Sequence, residues 1–226
     1  MTLEISGRLV LFDLDNTLLG GDSDHAWGEF LIARKLVDES KHRAQNDYFY
    51  AQYKQENLDI HAYVKFTLAA ILDFTMDDLN QLHDAFMREA VAPLMLNKAI
   101  SLVDQHKAAG DYCVIITATN EFITAPIADK FQVDQLLATE LERENGHFTG
   151  NISGTPCYQF GKVKKLEQWL DSRNDTLSFA DSIFYSDSIN DLPLLRKVTT
   201  PVAVDPDEKL REIALHAGWQ IISLRE

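Results

Sequence analysis

The chain has 226 residues, room for one core domain with an insertion, and its 46% hydrophobic content is enough for a packed core. Net charge is −14 and the isoelectric point about 4.8, which argues against nucleic acid or an anionic membrane surface as partner, since both want Lys and Arg. No apolar run reaches membrane length, the N-terminus lacks the parts of a signal peptide, and two cysteines (Cys113 and Cys157) build no disulfide framework, so a cytoplasmic protein is expected.

In chain order, residues 8–12 are an apolar run expected to form a buried strand. From Ser23 to about Met95 the pattern turns helical: Trp27, Phe30, Leu31 and Leu36 recur at helical spacing, followed by Tyr48, Tyr50 and Tyr53, by Tyr63, Phe66, Leu68 and Ile71, and by Leu79, Leu82 and Phe86. Asp24 and Thr75 are the expected N-caps, Thr75 preceding an acidic first turn of Asp77 and Asp78. No strand signal interrupts this stretch, so residues 21–95 are expected to form an inserted, all-helical cap, and residues 1–20 with 96–226 the core domain. Beyond the cap the rhythm is α/β, with strands near 112–117, 134–138, 182–186, 201–204 and 219–223. Helices are expected near 97–109, 122–131, 161–171, 190–196 and 207–217. Asn145-Gly146 between polar alternating runs marks a hairpin within 139–153. Alternating strands and helices imply a Rossmann-like, mostly parallel sheet with helices on both faces, whose ligands bind beyond the carboxyl ends of the strands.

Acidic and polar groups sit at those ends. Asp13 and Asp15 close the first apolar run, and a spacing of two puts both side chains on one side of an extended backbone. Buried like charges so close repel and shift each other's proton affinity, and a cation beside one of them would split their roles. Thr117 ends a second apolar run. Lys162 opens an amphipathic stretch. Asp187, Asn190 and Asp191 follow a third apolar run. The stretch Gly154 to Lys162 mimics a phosphate-binding loop, but it has six residues between its glycines rather than four, and Val163 follows the lysine in place of Ser or Thr.

Asp13-Leu-Asp15-Asn-Thr17, Thr117, Lys162 with Leu166, and Asp187 to Asp191 resemble, in order and spacing, the four motifs of haloacid dehalogenase superfamily phosphatases, of the subfamily that includes phosphoserine phosphatase. The resemblance implies a Mg²⁺-dependent phosphomonoesterase with Asp13 as nucleophile, forming an aspartyl-phosphate, and Asp15 as general acid and base. It implies that Thr117 and the Ala118 backbone N–H bind phosphate, and that Lys162 neutralises charge and steadies Asp13. Asp13, the backbone carbonyl of Asp15 and Asp187 would hold the metal, and Asp191 would order a metal-bound water or Lys162. An all-oxygen set suits Mg²⁺. Asn190 would hold the loop or touch phosphate. Ser186 and Ser188 stand where the family usually has glycine, and serine is the costlier residue wherever the backbone needs a positive φ.

Asp22 takes the place of the family's amine-binding acid. At the place of its carboxylate-binding arginine stands Thr67, with Lys65 nearby. Residues 20–95 carry thirteen acids against seven Lys and Arg, so the resemblance points to a small phosphorylated metabolite that is cationic and lacks a carboxylate. Histidinol phosphate leads, placing the protein in amino-acid biosynthesis; phosphoserine, phosphocholine and phosphoethanolamine are alternatives. Asp22, Asp24, Glu29 and the ring of Trp27 are candidate contacts, the ring holding a cation or stacking an imidazole; the competing reading is that Trp27 and Phe30 pack the cap. A reading from another class is a phospho-accepting receiver module, which needs neither Asp15 nor the helical insertion.

Overall fold

The computed structural model describes residues 7–225. Its centre is a six-stranded, wholly parallel sheet in the order β3-β2-β1-β6-β7-β8. The strands are β1 (Leu9–Phe12), β2 (Tyr112–Asn120), β3 (Gln135–Thr139), β6 (Ser182–Ser186), β7 (Thr200–Val204) and β8 (Gln220–Ile222). A strand buried on both faces reads as a continuous apolar run, which is why β1, β2 and β6 stand out in the sequence. Alternate residues feed opposite layers. Val10, Phe12, Cys113 and Ile115 pack on one side with α5 (Asn97–Ala108) and α6 (Glu121–Phe131). Leu9, Leu11, Val114 and Ile116 pack on the other with α7 (Phe160–Asp171), α8 (Leu192–Leu195) and α9 (Glu208–Ala217).

Four α-helices lie between β1 and α5, α1 (Ser23–Ala33), α2 (Glu39–Lys54), α3 (Ile60–Leu68) and α4 (Met76–Phe86), the last followed by a π turn (Met87–Val91) and a 3-10 turn (Ala92–Leu94). The chain leaves and returns at one place, where Leu19 bridges Met95 and the Gly20 N–H donates to the Leu94 carbonyl at 2.7 Å. Thr75 caps α4 as expected, in a reciprocal capping box with Asp78. The α1 cap differs from expectation. Asp22 is the N-cap, its carboxylate accepting from the His25 N–H, and Asp24 lies buried within the first turn. Both acids sit at the helix start, but only the residue that keeps an extended backbone (φ −100°, ψ 116°) can bend its side chain onto the third N–H.

The expected hairpin is β4 (Leu141–Glu144) and β5 (His147–Ile152), turned by Asn145 (φ 51°) and Gly146 (φ 84°). It carries Phe148 against Phe122 of α6 and packs β5 on α3, so it props the inserted helices from below. β2 runs on to Asn120, with a register irregularity between Ile116 and Asn120, and carries Thr117 and Thr119 past the regular sheet.

Candidate active site

The sheet order reverses at β1, which lies between β2 and β6, and the ends of these three strands frame a crevice at that switch point. The Asp13 N–H still donates to the Tyr185 carbonyl (2.9 Å), so Asp13 is fixed by sheet pairing rather than by a loose loop. Beyond it the chain folds over on Asn16, whose φ of +61° is a left-handed conformation that asparagine tolerates well. That turn brings the Thr17 hydroxyl within 3.3 Å of Asp13 Oδ2 and 3.0 Å of Asp187 Oδ1, while the same oxygen accepts the Asp187 N–H at 3.0 Å.

Lys162, at the start of α7, is buried and donates from Nζ to Asp13 Oδ1 (2.7 Å) and to Asp191 (2.8 Å). Ser186 Oγ donates to Asp191 Oδ2 (2.7 Å) and accepts the Ser188 N–H (3.2 Å). The glycine-to-serine departure therefore carries no backbone penalty: neither serine has a positive φ, and the Ser186 hydroxyl orients Asp191. In the stretch from Gly154 that mimics a phosphate-binding loop, the lysine is committed to Asp13 and Asp191.

Asp15 is held apart from this group, accepting the Ser23 N–H at Oδ1 (2.6 Å) and the Thr119 hydroxyl at Oδ2 (2.8 Å). Thr117, almost fully buried, lines the same cavity with Ala118. Asn190 ties the Asp187 loop to α2, donating to the Tyr53 carbonyl (3.1 Å) and accepting from Tyr158 (3.1 Å) and Gln159 (3.0 Å). Of its two expected roles, these contacts perform the holding one. Two expected contacts lie elsewhere. Trp27 is 1% exposed, packed among Phe30, His83, Phe86 and Phe122, because the helical period that puts it on an apolar face points that face into the core. Glu29 pairs with Arg43 at the surface. Thr67 is buried on its own helix, its hydroxyl donating to the Val64 carbonyl.

The cavity lies between the strand ends and the helical insertion. Asp13, Asp15, Asp22, Asp24, Thr117 and Thr119 are its polar lining, and Phe49, Tyr50, Tyr53 and Tyr63 of the helical insertion add aromatic wall. Thr119, Ser23, Tyr53 and Tyr63 were not singled out in the sequence as site residues, and Thr17 was seen there only as part of its motif.

Negative charge dominates. Burial pushes the Asp13, Asp15, Asp22, Asp24, Asp187 and Asp191 carboxyls above their ordinary range. Asp15, with Asp22 beside it, and Asp191 rise to about 6. Asp187 is driven up further by Asp13 and Asp191. Burial alone would lower the Lys162 pKa, but Asp13 and Asp191 outweigh it and hold the ammonium charged. Burial is the largest cause for each acid, and the pull of Lys162 on Asp13 and Asp191 does not reverse it.

No three His, Cys, Asp or Glu side chains among the described residues converge as a metal cage. Asp13 and Asp187, joined through Thr17 and short of positive charge, make an open, oxygen-only pair instead. That fits Mg²⁺, which keeps several of its waters and takes few protein ligands. The Asp191 carboxylate, expected to order a metal-bound water or Lys162, is engaged by Lys162 and Ser186, and in this arrangement it positions the lysine.

A parallel sheet with an acidic, hydroxyl-lined crevice at its switch point and one buried lysine defines a phosphate-ester hydrolase of the α/β class. Residues 10–196 match the family model of haloacid dehalogenase-like hydrolases, and the chain belongs to that family. Phosphatases of this family generally use Mg²⁺. The chain is 44% identical to a histidinol-phosphatase of Neisseria meningitidis serogroup C (strain 8013) over 220 residues, covering 96% of this chain and 99% of that one. It is 32% identical to a phosphoserine phosphatase of Mycobacterium tuberculosis (strain ATCC 25618 / H37Rv), covering 95% of this chain and 70% of that one. A crystal structure of a protein of unknown function from Bordetella pertussis Tohama I superimposes with a TM-score of 0.90 at 43% identity, covering 97% and 99% of the two chains. A substrate-bound phosphoserine phosphatase shares the fold at a TM-score of 0.69 and 15% identity, covering 98% and 95%. The chain is a phosphatase. No helix among the described residues is long and apolar enough to cross a membrane.

Proposed function

We propose that this phosphatase hydrolyses histidinol phosphate in the cytoplasm, through an aspartyl-phosphate on Asp13, with residues 21–95 acting as the cap that selects the leaving group. The observation that carries the substrate choice is the cavity wall: four carboxylates line it, and no Lys, Arg or His among the described residues does. A carboxylate-bearing ester such as phosphoserine would enter an acidic pocket with no Lys, Arg or His in its lining to receive it. The 44% identity with a histidinol-phosphatase across nearly the whole chain supports the same choice. Two buried cysteines without a disulfide support the compartment.

The chemistry follows from the side chains. Lys162 and Thr17 hold the two oxygens of Asp13, which aims the carboxylate at the incoming phosphorus and blunts its charge against the phosphate's own. Asp13 attacks phosphorus, the ester P–O bond breaks, and Asp15 gives its proton to the departing alkoxide. Asp15 then takes a proton from a water that attacks the phospho-Asp13, which releases phosphate, restores the Asp13 carboxylate and returns Asp15 to its acid form. A group held at about 6 can exist in either protonation state near neutral pH, which this exchange requires. Asp13, the Asp15 backbone carbonyl and Asp187 would hold Mg²⁺, which when bound offsets phosphate charge and helps orient the ester. The Thr117 hydroxyl and the Ala118 N–H, whose residues line the cavity, would bind the phosphate, and Asp22 stands in the cavity wall as a candidate for the substrate's amine.

The test is phosphate release in Mg²⁺ from histidinol phosphate, phosphoserine, phosphoethanolamine and phenyl phosphate. Histidinol phosphate is expected to exceed phosphoserine at least tenfold in kcat/KM. A preference for phosphoserine would overturn the assignment.

A further inference from the structure

Besides Asp13, three acids line the cavity, and they differ in what already occupies their oxygens. Asp15 is taken by the Ser23 N–H and the Thr119 hydroxyl. Asp22, which the family pattern assigns to the amine, caps α1 by accepting the His25 N–H at 2.9 Å. Asp24 is different. It is 7% exposed, it lines the cavity, and its Oδ1 has no hydrogen-bond partner. Its hydrogen-bonding neighbours are the Tyr63 phenol and the Thr119 hydroxyl. A buried carboxylate oxygen left without a partner is costly, and a cation placed against it removes that cost.

Aromatic residues share the lining. Phe49, Tyr53 and Tyr63 border the cavity, and Tyr50 already carries the Lys54 ammonium 4.2 Å from its ring centre. Ring faces attract cations, more so where water is excluded. We propose that Asp24, seated against Tyr63 and backed by the aromatic wall, is the specificity-determining residue that reads the positive charge of the leaving group, in place of Asp22. This rests on the reading of the protein as a phosphatase of a cationic phosphoester and names the residue that recognises the charge.

Asp24→Asn keeps the shape and removes the charge. The ratio of kcat/KM for histidinol phosphate to that for phenyl phosphate should fall by about 10- to 100-fold, the range for losing a hydrogen bond to a charged group, with the change mostly in KM. Tyr63→Phe should lower the same ratio by about 3- to 10-fold, and it reads the proposal independently should Asp24→Asn not fold. The corresponding Asp22→Asn change should move the ratio less than Asp24→Asn does. Equal losses on both esters in Asp24→Asn, or a larger shift in Asp22→Asn, would overturn the proposal. A wild-type enzyme that ignores histidinol phosphate but prefers phosphoethanolamine to phenyl phosphate, with that preference lost in Asp24→Asn, would remove the substrate named above and support the charge reading. A wild type with no preference for any cationic ester would overturn both.

Discussion

Replacing Lys162 by Met tests the electrostatic account of the site. The ammonium is 3% exposed and lies 2.7 Å from Asp13 and 2.8 Å from Asp191, with Asp187 close by through Thr17. Methionine fills similar volume but leaves these buried acids with no cation. Breaking a buried pair from one side typically destabilises by about 3–5 kcal/mol, so a loss of about 4 kcal/mol is expected at pH 8. The acids can restore the charge balance by binding one extra proton. While that proton stays bound, the native mutant carries one more than wild type, and the deficit shrinks by about 1.4 kcal/mol per pH unit on acidification. Between pH 8 and pH 5.5 this recovers about 3 kcal/mol, leaving about 1 kcal/mol. The assay is urea unfolding of both proteins at the two pH values in EDTA, with kcat on phenyl phosphate in Mg²⁺ alongside, where a loss of at least about 100-fold is expected. Destabilisation of the same size at both pH values would refute the reasoning, and so would a mutant as stable as wild type at pH 8.

Asp15→Asn should separate the two proton transfers: nitrophenolate leaves without a proton, so the mutant should give a burst of p-nitrophenol near one equivalent and then stall, and loss of the burst together with turnover would contradict the role given to Asp15. Trp27→Phe should lower stability by about 1–3 kcal/mol while KM for histidinol phosphate stays within about threefold, because the indole packs the core and does not line the cavity; a tenfold rise in KM would return Trp27 to the site. Metal-free wild type should lose stability as pH rises from about 4 to about 6. Asp15 and Asp191 sit at about 6 when folded against a model value of 3.8, so the native state binds more protons in that window. Each contributes up to about 3 kcal/mol that is present below the unfolded pKa and lost by the folded one. A melting temperature that rises over that window in EDTA would contradict the net negative pocket.

The strands that carry Asp13, Thr117 and Asp187 were legible because a parallel strand covered on both faces has to be apolar throughout, and polar residues just past such runs stand out. The spacing of four to Leu166 then picked out Lys162 from its close neighbours Lys164 and Lys165. The helical insertion was legible as helices but not as a cavity wall. Spacing of 3.6 tells that Trp27, Tyr53 and Tyr63 share faces with other apolar residues; it does not tell which face turns to the core and which to the crevice. The same limit exchanged Asp22 and Asp24, since two acids at one helix start are equivalent until backbone dihedrals choose the cap. Thr119 was missed because the strand was expected to end at Thr117, and the irregular pairing that carries it on to Asn120 has no local signal.

Asp13 is the residue on which the account turns. Acid quenching during turnover of histidinol phosphate, followed by peptide mass spectrometry, should find a hydroxylamine-labile phosphoryl group on Asp13 in wild type, and Asp13→Asn should show neither the adduct nor hydrolysis. An Asp13→Asn enzyme that still releases phosphate at a rate near wild type, or an adduct carried by another carboxylate, would contradict it.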